Sequence, residues 1–364
     1  MTDHSEGGDF TPTLQFFTVD VFTEQRFNGN PLAVVLVPPS LATAVSQNQK
    51  QRIAREFNLS ETVFLHEPRP DAEAINETAK TCRADIFTID TELPFAGHPT
   101  IGAAHIILRH LGWDVEFLHL KAGLFRISRS ESGSDKPTST GPVKVRVAHD
   151  LHVHSQTLAD IVNAERQQGS DPAAQSAYRA VSAALSQDEA IRRAELQAPV
   201  VSIVRGMTVL LVRLPSLEHL AIVSTASRLV FDEVIQGLLL DNGPWGSSFC
   251  YRYYYVHEGE GNGEGKAAES GGKVVTRLRA RMIELDFEDP ATGSAAVTLG
   301  SYLTINRHSD KSVARYEITQ GVEMGRKSDI AVEVKPAVVD GVATVGELSL
   351  EGNAVIVMSG RIRF

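Results

Sequence analysis

Apolar positions along this chain follow two different periods, arranged in alternating blocks. TLQFFTVDVFT (13–23) and NPLAVVLVP (30–38) are β-branched and aromatic runs joined by the polar EQRFNG, which predicts a β-hairpin. In SQNQKQRIAREFNL (46–59) Ile53 and Phe57 fall four apart, the spacing of one helix face, and ETVFLHE (61–67) then predicts a strand. TIGAAHIILRHLG (100–112) predicts a helix that stops at Gly112. Ser, Gly and Pro crowd SESGSDKPTSTG (130–141), the mark of a loop. QTLADIVNAERQQG and AAQSAYRAVSAALSQDEAIRRAEL, between 156 and 196, predict helices, and VVSIVRGMTVLLVRL (200–214) predicts paired strands. HEGEGNGEGKAAESGGK (257–273) is acidic and of low complexity. Its glycines sit among glutamates that would repel phosphate, so it reads as a solvated insertion rather than a nucleotide-binding loop.

Composition narrows the classes. The chain has 364 residues, 42% hydrophobic and 22% charged, with mean hydropathy −0.10, which suits one large or two medium globular domains. A net charge of −10, with the 35 Lys and Arg scattered, gives no electrostatic footprint for nucleic acid. MTDHSEGGDFTPT at the start lacks the basic and apolar regions of a secretion signal, and no run of about 18 apolar residues is present to cross a membrane; the cytoplasm is the expected location. Two cysteines, Cys82 and Cys250, argue against a disulfide framework or a thiolate metal site. His152 and His154 share a strand face, but no nearby carboxylate or thiol has ligand spacing, so no metal and no cofactor is expected. There is no G-x-S-x-G elbow, which leaves serine acyl transfer without support.

The chain also resembles itself. RADIFTIDTELPFAGH (83–98) aligns without gaps to RARMIELDFEDPATGS (279–294) at an offset of 196, and six of the sixteen positions agree: Arg83, Ala84, Asp90, Glu92, Pro94 and Gly97 with Arg279, Ala280, Asp286, Glu288, Pro290 and Gly293. Chance would give about one. Each copy ends in glycine plus a polar residue, His98 or Ser294, followed by small helix-compatible residues. At a plain minimum these are two strand-to-helix turns with capping side chains. In duplicate, they suggest two helix starts facing across a cleft, where unpaired N–H groups could hold a small anion such as a substrate carboxylate.

VDVFTEQRFNGNPLAVV (19–35), AREFNLSETVFL (54–65), ELPFAGHPTIGAA (92–104), EDPATGSAA (288–296) and QGVEMGRKSDI (320–330) stand in an order and spacing that resembles the phenazine-biosynthesis PhzF-like family over most of residues 14–364. The resemblance implies an α+β, diaminopimelate epimerase-like fold: two pseudo-symmetric domains, each a mixed β-sheet curled around a central helix. In this scheme 1–12 is a disordered tail, 13–147 the first domain with 353–364 returning to it, and 148–352 the second, with peripheral insertions at 151–190 and 257–273. It also implies a cofactor-independent isomerase, compatible with a homodimer. Its substrate would be a small, cyclic carboxylate rather than a nucleic acid or a membrane. Carried over motif by motif, Glu61 is the acid/base that moves a proton, with His98 and Asp289 as catalytic partners and Asn30, Ser60, Gly97, Gly293 and Ser294 as substrate-binding residues. A glutamate working near neutrality needs a desolvating cleft or a neighbouring carboxylate.

The second half departs from the family pattern, because RMIELDF runs straight into EDP without the longer Phe-Pro-Gly segment, so the substrate does not carry over. Thiol racemases of the same fold place a cysteine at each helix start. Neither ELPFAGH nor EDPATGSAA has one, and Cys82 and Cys250 do not match at the repeat offset, which excludes thiol racemisation. A non-thiol epimerase and a non-catalytic metabolite-binding protein of the same fold remain as the alternatives.

Overall fold

The computed structural model describes residues 12–68, 80–130, 141–168, 172–226, 228–258, 268–270, 273–285, 287–306 and 312–364. The expected disordered tail lies outside these residues apart from Pro12, as do the core of the 130–141 loop and most of the acidic stretch after His257.

The first hairpin pairs β1 (Thr13–Val21) with β2 (Asn30–Val37). A capping box at Ser46 and Gln49 starts α1 (Gln47–Phe57), and Asn58, left-handed at φ 52°, ends it and turns the chain toward β3 (Thr62–His66). β3 runs parallel to β2 and antiparallel to β4 (Thr81–Phe87), which pairs in turn with the short β5 (Glu92–Leu93). A buried charge cluster holds α1 to this sheet: Lys50 Nζ lies 2.5 Å and His66 Nε2 2.8 Å from Asp85 Oδ2. Burial alone would raise the Asp85 pKa, but the hydrogen bonds from His66 and Lys50 outweigh it and hold the carboxyl below the usual range.

Next comes α2 (Gly97–His105), continued by a π-turn over Ile106–His110. Every residue of α2 is buried. A helix of small residues without a polar face belongs inside a core, and a Cβ at Gly102 would come within 2.4 Å of Leu32, so the closeness of helix and sheet requires glycine there. β6 (Phe117–Leu120), β7 (Gly123–Arg129) and β8 (Val143–Arg146) complete the wrap.

β9 (His152–Val153) leads into α3 (Leu158–Gln168), α4 (Pro172–Ala184) and α5 (Glu189–Leu196). These helices pack with one another and bury Val200, Leu210 and Val212 of the strands that follow, so 151–190 builds a core on the outer face of the second sheet, where the sequence suggests only peripheral additions. Asp188 caps α5 by accepting from the amides of Ala190 and Ile191. Asp188→Ala is expected to cost about 1 kcal/mol in urea unfolding.

The second sheet follows with β10 (Val200–Val204), β11 (Met207–Arg213), the helices α6 (Leu217–Ala221) and α7 (Glu233–Leu239), β12 (Phe249–His257), β13 (Ala268–Ser270), β14 (Lys273–Glu284) and β15 (Phe287–Asp289). β13 pairs with the start of β14, so a hairpin occupies the end of the stretch that composition marks as loop. The buried α8 (Gly293–Ile305) comes next, then β16 (Ala314–Gln320), β17 (Ser328–Val339), β18 (Val342–Gly352) and β19 (Ala354–Arg363). β8 pairs with β18, and β19 returns to lie antiparallel to β1.

The two halves repeat one pairing scheme. β1 to β8, with α2 after β5, have the same neighbours and senses as β10, β11, β12, β14, β15, α8, β16, β17 and β18. Register agrees as well: Phe87 opposes Glu92 in the first half, and Ile283 opposes Glu288 in the second, each pair displaced by the 196 residues of the sequence repeat.

Candidate active site

The starts of α2 and α8 meet where the halves touch. A Cβ on Gly97 would lie 3.0 Å from the Gly293 Cα, and one on Gly293 would lie 3.2 Å from the Gly97 Cα and 2.8 Å from Leu350. Only glycine on both sides allows this approach. Neither helix has a side-chain cap at its N-cap residue, Ala96 or Thr292, so both bring uncapped first-turn amides to the junction.

Asn30 bridges the halves. It is 1% exposed, and its Nδ2 lies 2.8 Å from Asp289 Oδ1, 3.0 Å from the Ala291 carbonyl and 3.3 Å from His98 Nδ1. The Asn30 amide has two N–H groups for these three acceptors, and whenever one points to His98 the ring accepts at Nδ1 and carries its proton on Nε2. Burial lowers the His98 pKa, against an opposing pull from Glu61, and this agrees with a neutral ring. Its Nε2 lies 3.3 Å from Glu61 Oε2. Both atoms are buried and neither has a hydrogen-bond partner among the described residues, so a close polar pair keeps its bonding capacity unspent.

On the opposite side, Asp289 keeps some exposed surface while turning both carboxylate oxygens inward, Oδ1 onto Asn30 and Oδ2 onto Thr292 Oγ1 at 2.5 Å. Burial pushes its pKa up to about 7, reinforced by the nearby Glu61 and only partly offset by the hydrogen bonds from Thr292 and Asn30. The site thus brings the pKa of the Asp289 carboxyl close to neutrality. Ser294, in the first turn of α8, hydrogen-bonds Tyr251 Oη at 2.8 Å.

Glu61, His98, Asn30, Asp289, Gly97, Gly293 and Ser294 therefore gather at one junction. Ser60 lies exposed in the turn before β3 and makes none of the hydrogen bonds just described.

The QGVEMGRKSDI motif supplies positioning residues for which its sequence suggests no role. Gln320 donates to the Asp289 carbonyl and to Thr292 Oγ1, and accepts from the Thr292 amide and from Tyr253 Oη, so three of these four bonds clamp the Asp289 turn and the fourth ties it to β12. Arg326 reaches the Gly29 and Asn28 carbonyls and Asp20, fixing the loop that presents Asn30. In that loop Gly29 sits at φ 66°, and a Cβ would clash with the Val21 carbonyl at 2.2 Å.

Outside the junction, His152, His154 and Asp241 come within 4.8 Å of one another, a cluster that sequence spacing hides because Asp241 arrives from 87 residues beyond His154. Both ring nitrogens of His154 are engaged, Nδ1 by the Asp241 amide and Nε2 by Ser202 Oγ, which makes the cluster a fit for bracing rather than for holding a metal. Cys82 and Cys250 are free and buried, and burial pushes the Cys250 thiol up to about 12. A cavity of about 520 Å³ lies among Glu24, Arg277, Arg315, Lys327 and Glu351, away from the junction. Its cations are paired, Arg277 with Glu317, Arg315 with Glu351 and Lys327 with Asp329, so it has no counterpart to the unspent pair at Glu61 and His98.

Residues 19–216 and 265–360 match the family described as phenazine biosynthesis-like protein. An uncharacterized isomerase of Mesorhizobium japonicum is 32% identical over 363 residues, covering 96% of this chain and 99% of that protein. The trans-2,3-dihydro-3-hydroxyanthranilate isomerase of Pseudomonas aeruginosa is 37% identical over 109 residues, 30% of this chain and 35% of that enzyme. Several other relatives are likewise matched over only 29% to 40% of their lengths. Among solved structures, a phenazine biosynthesis protein of the PhzF family from Bacillus anthracis superposes with a TM-score of 0.63 at 19% identity, covering 97% of this chain and 100% of that one. The α+β, diaminopimelate epimerase-like architecture expected from the motifs is the one observed.

Proposed function

Because the chain belongs to the phenazine biosynthesis-like protein family, we propose that it is a cofactor-independent isomerase that moves a proton on a small cyclic carboxylate, with Glu61 as the acid/base. The observation that carries this reading is the buried, unsatisfied pair of Glu61 Oε2 and His98 Nε2, 3.3 Å apart at the mouths of two uncapped helices. The ligand carboxylate sits at the first turns of α2 and α8, where amides and the Ser294 hydroxyl can donate to it. Glu61 takes a proton from a ring carbon, the electron pair delocalises toward the anchored carboxylate, and Glu61 returns the proton to a different carbon of the ring. No electrons leave the ligand, so the step needs no oxidant. His98, a neutral Nε2 donor, orients Glu61 and the ligand, and Asp289 holds Asn30 and therefore the His98 tautomer.

The names of the relatives support an isomerase, and the anthranilate-type substrate of the Pseudomonas enzyme is a reasonable first compound to assay. A screen of cyclic carboxylates in heavy water, followed by NMR, tests the reading. Deuterium entering a ring carbon supports it; a carboxylate that binds without any exchange favours a metabolite-binding protein instead.

Close approach of the two helix starts gives a further expected result. Gly97→Ala puts a methyl group against the Gly293 backbone and displaces the anchoring amides. Exchange should slow roughly tenfold, because reacting groups tolerate little displacement. Thermal unfolding of the variant checks that the fold persists.

A further inference from the structure

Applying the repeat to the site itself shows what stands opposite Glu61. Thr62 on β3 opposes Phe87 on β4, and Arg252 on β12 opposes Ile283 on β14. Phe87 and Ile283 are equivalent, being 196 residues apart in the repeated register. The residue before Thr62 is Glu61, and the residue before Arg252 is Tyr251. Tyr251 is therefore the second half's counterpart of Glu61. Their partners are equivalent too: Glu61 faces His98, Tyr251 faces Ser294, and His98 and Ser294 are again 196 residues apart.

The two pairs differ in chemistry. Tyr251 is 1% exposed, and burial raises its pKa, so the phenol stays protonated near neutrality even though the Ser294 contact pulls the other way. Its hydroxyl has one described partner, Ser294 Oγ at 2.8 Å. A phenol that gives its proton to Ser294 Oγ occupies an acceptor site of the serine and leaves the serine proton free to point into the junction. Were the serine to donate to the phenol instead, the buried phenolic proton would have no acceptor among the described residues, and that arrangement costs more.

We propose that Tyr251 is a positioning residue for ligand binding: it donates to Ser294 and so fixes the Ser294 hydroxyl as a donor to the substrate carboxylate. The duplicated site is thereby divided, with proton transfer at the Glu61–His98 pair and anion anchoring at the Tyr251–Ser294 pair. This rests on the carboxylate-isomerase reading above, and binding measurements separate the two.

The test uses the full chain and cyclohex-1-ene carboxylate as the probe, with affinity read by calorimetry. Tyr251→Phe keeps the ring in the core and removes only the hydroxyl. Its Kd should rise roughly tenfold. On any carboxylate that is turned over, KM should rise by a similar factor while kcat stays near wild type, the pattern of a lost uniform binding contact. Ser294→Ala should weaken binding at least as much, and Tyr251→Phe combined with Ser294→Ala should be no weaker than Ser294→Ala alone, since the tyrosine acts through the serine. A Tyr251→Phe variant that binds the probe as tightly as wild type overturns the proposal, and so do effects of the two substitutions that add. Wild-type protein that binds no carboxylate overturns the functional reading along with it. Binding by wild type and by Tyr251→Phe to the same degree overturns only the role of Tyr251.

Discussion

Glu61→Gln is expected to lower turnover by roughly two to four orders of magnitude while changing carboxylate binding little. Glutamine keeps the size of the side chain and can still face His98, but it cannot take up or release a proton at a ring carbon. Binding should survive because the anchoring groups belong to the helix starts and to Ser294, not to Glu61. The Glu61 side chain retains 16% of its surface, so a proton held there can exchange with solvent and label the ligand. The measurement is the rate of deuterium uptake by NMR on a confirmed ligand, with Kd measured in parallel. Full exchange in Glu61→Gln would remove Glu61 from the role. His98→Ala should have a smaller effect, since the ring orients the proton carrier without being the carrier.

Asp289→Asn should reverse part of the protein's pH-dependent stability. The Asp289 carboxyl has its pKa raised to about 7 in the fold, against an ordinary value of 3.8. Between pH 4 and pH 7 the folded chain keeps a proton on this group that the unfolded chain has lost. Stability from the neutral carboxyl is therefore complete below about pH 4 and disappears as pH rises through 7. The difference amounts to up to ~4 kcal/mol across that range. Asparagine cannot ionise and can occupy the same place between Asn30 and Thr292. The variant should thus gain stability relative to wild type as pH rises from 4 to 8, with the gain levelling off above 7. Urea unfolding of both proteins at several pH values checks this, and a constant difference would show that Asp289 is not the titrating group. Turnover of Asp289→Asn should fall less than that of Glu61→Gln. A larger fall would make Asp289 the proton carrier.

The organisation of the chain was legible in its sequence because the signals involved are local. β-Branched and aromatic runs at 13–38, helical spacing at 46–59 and the Gly-ended turns at 97 and 293 report backbone preferences within a few residues, and the structure places elements at each of them. The 196-residue repeat was legible for the same reason: each copy must form the same strand, turn and buried helix, so each keeps the proline and glycine that the turn requires. Motif resemblance brought Glu61, His98 and Asp289 forward, together with Ser60, which is exposed in the same short motif.

What only the tertiary structure decided are relations between atoms far apart along the chain. Asn30 meets Asp289 across 259 residues, Arg326 reaches Gly29 across 297, and Asp241 joins His152 across 89. No periodicity encodes those distances. The helices of 158–196 look like surface decoration until the apolar outer face of β10 and β11 is seen beneath them. The near-neutral carboxyl is likewise a product of the fold, because a pKa depends on burial and neighbouring charge, and for Asp289 burial at the junction and the nearby Glu61 outweigh the hydrogen bonds from Thr292 and Asn30. The sequence by itself determined two similar halves, each ending a turn at a buried helix. Packing those halves glycine against glycine decided which side chains would share a site, since only contact between distant segments removes water from a carboxylate and sets an unsatisfied pair face to face.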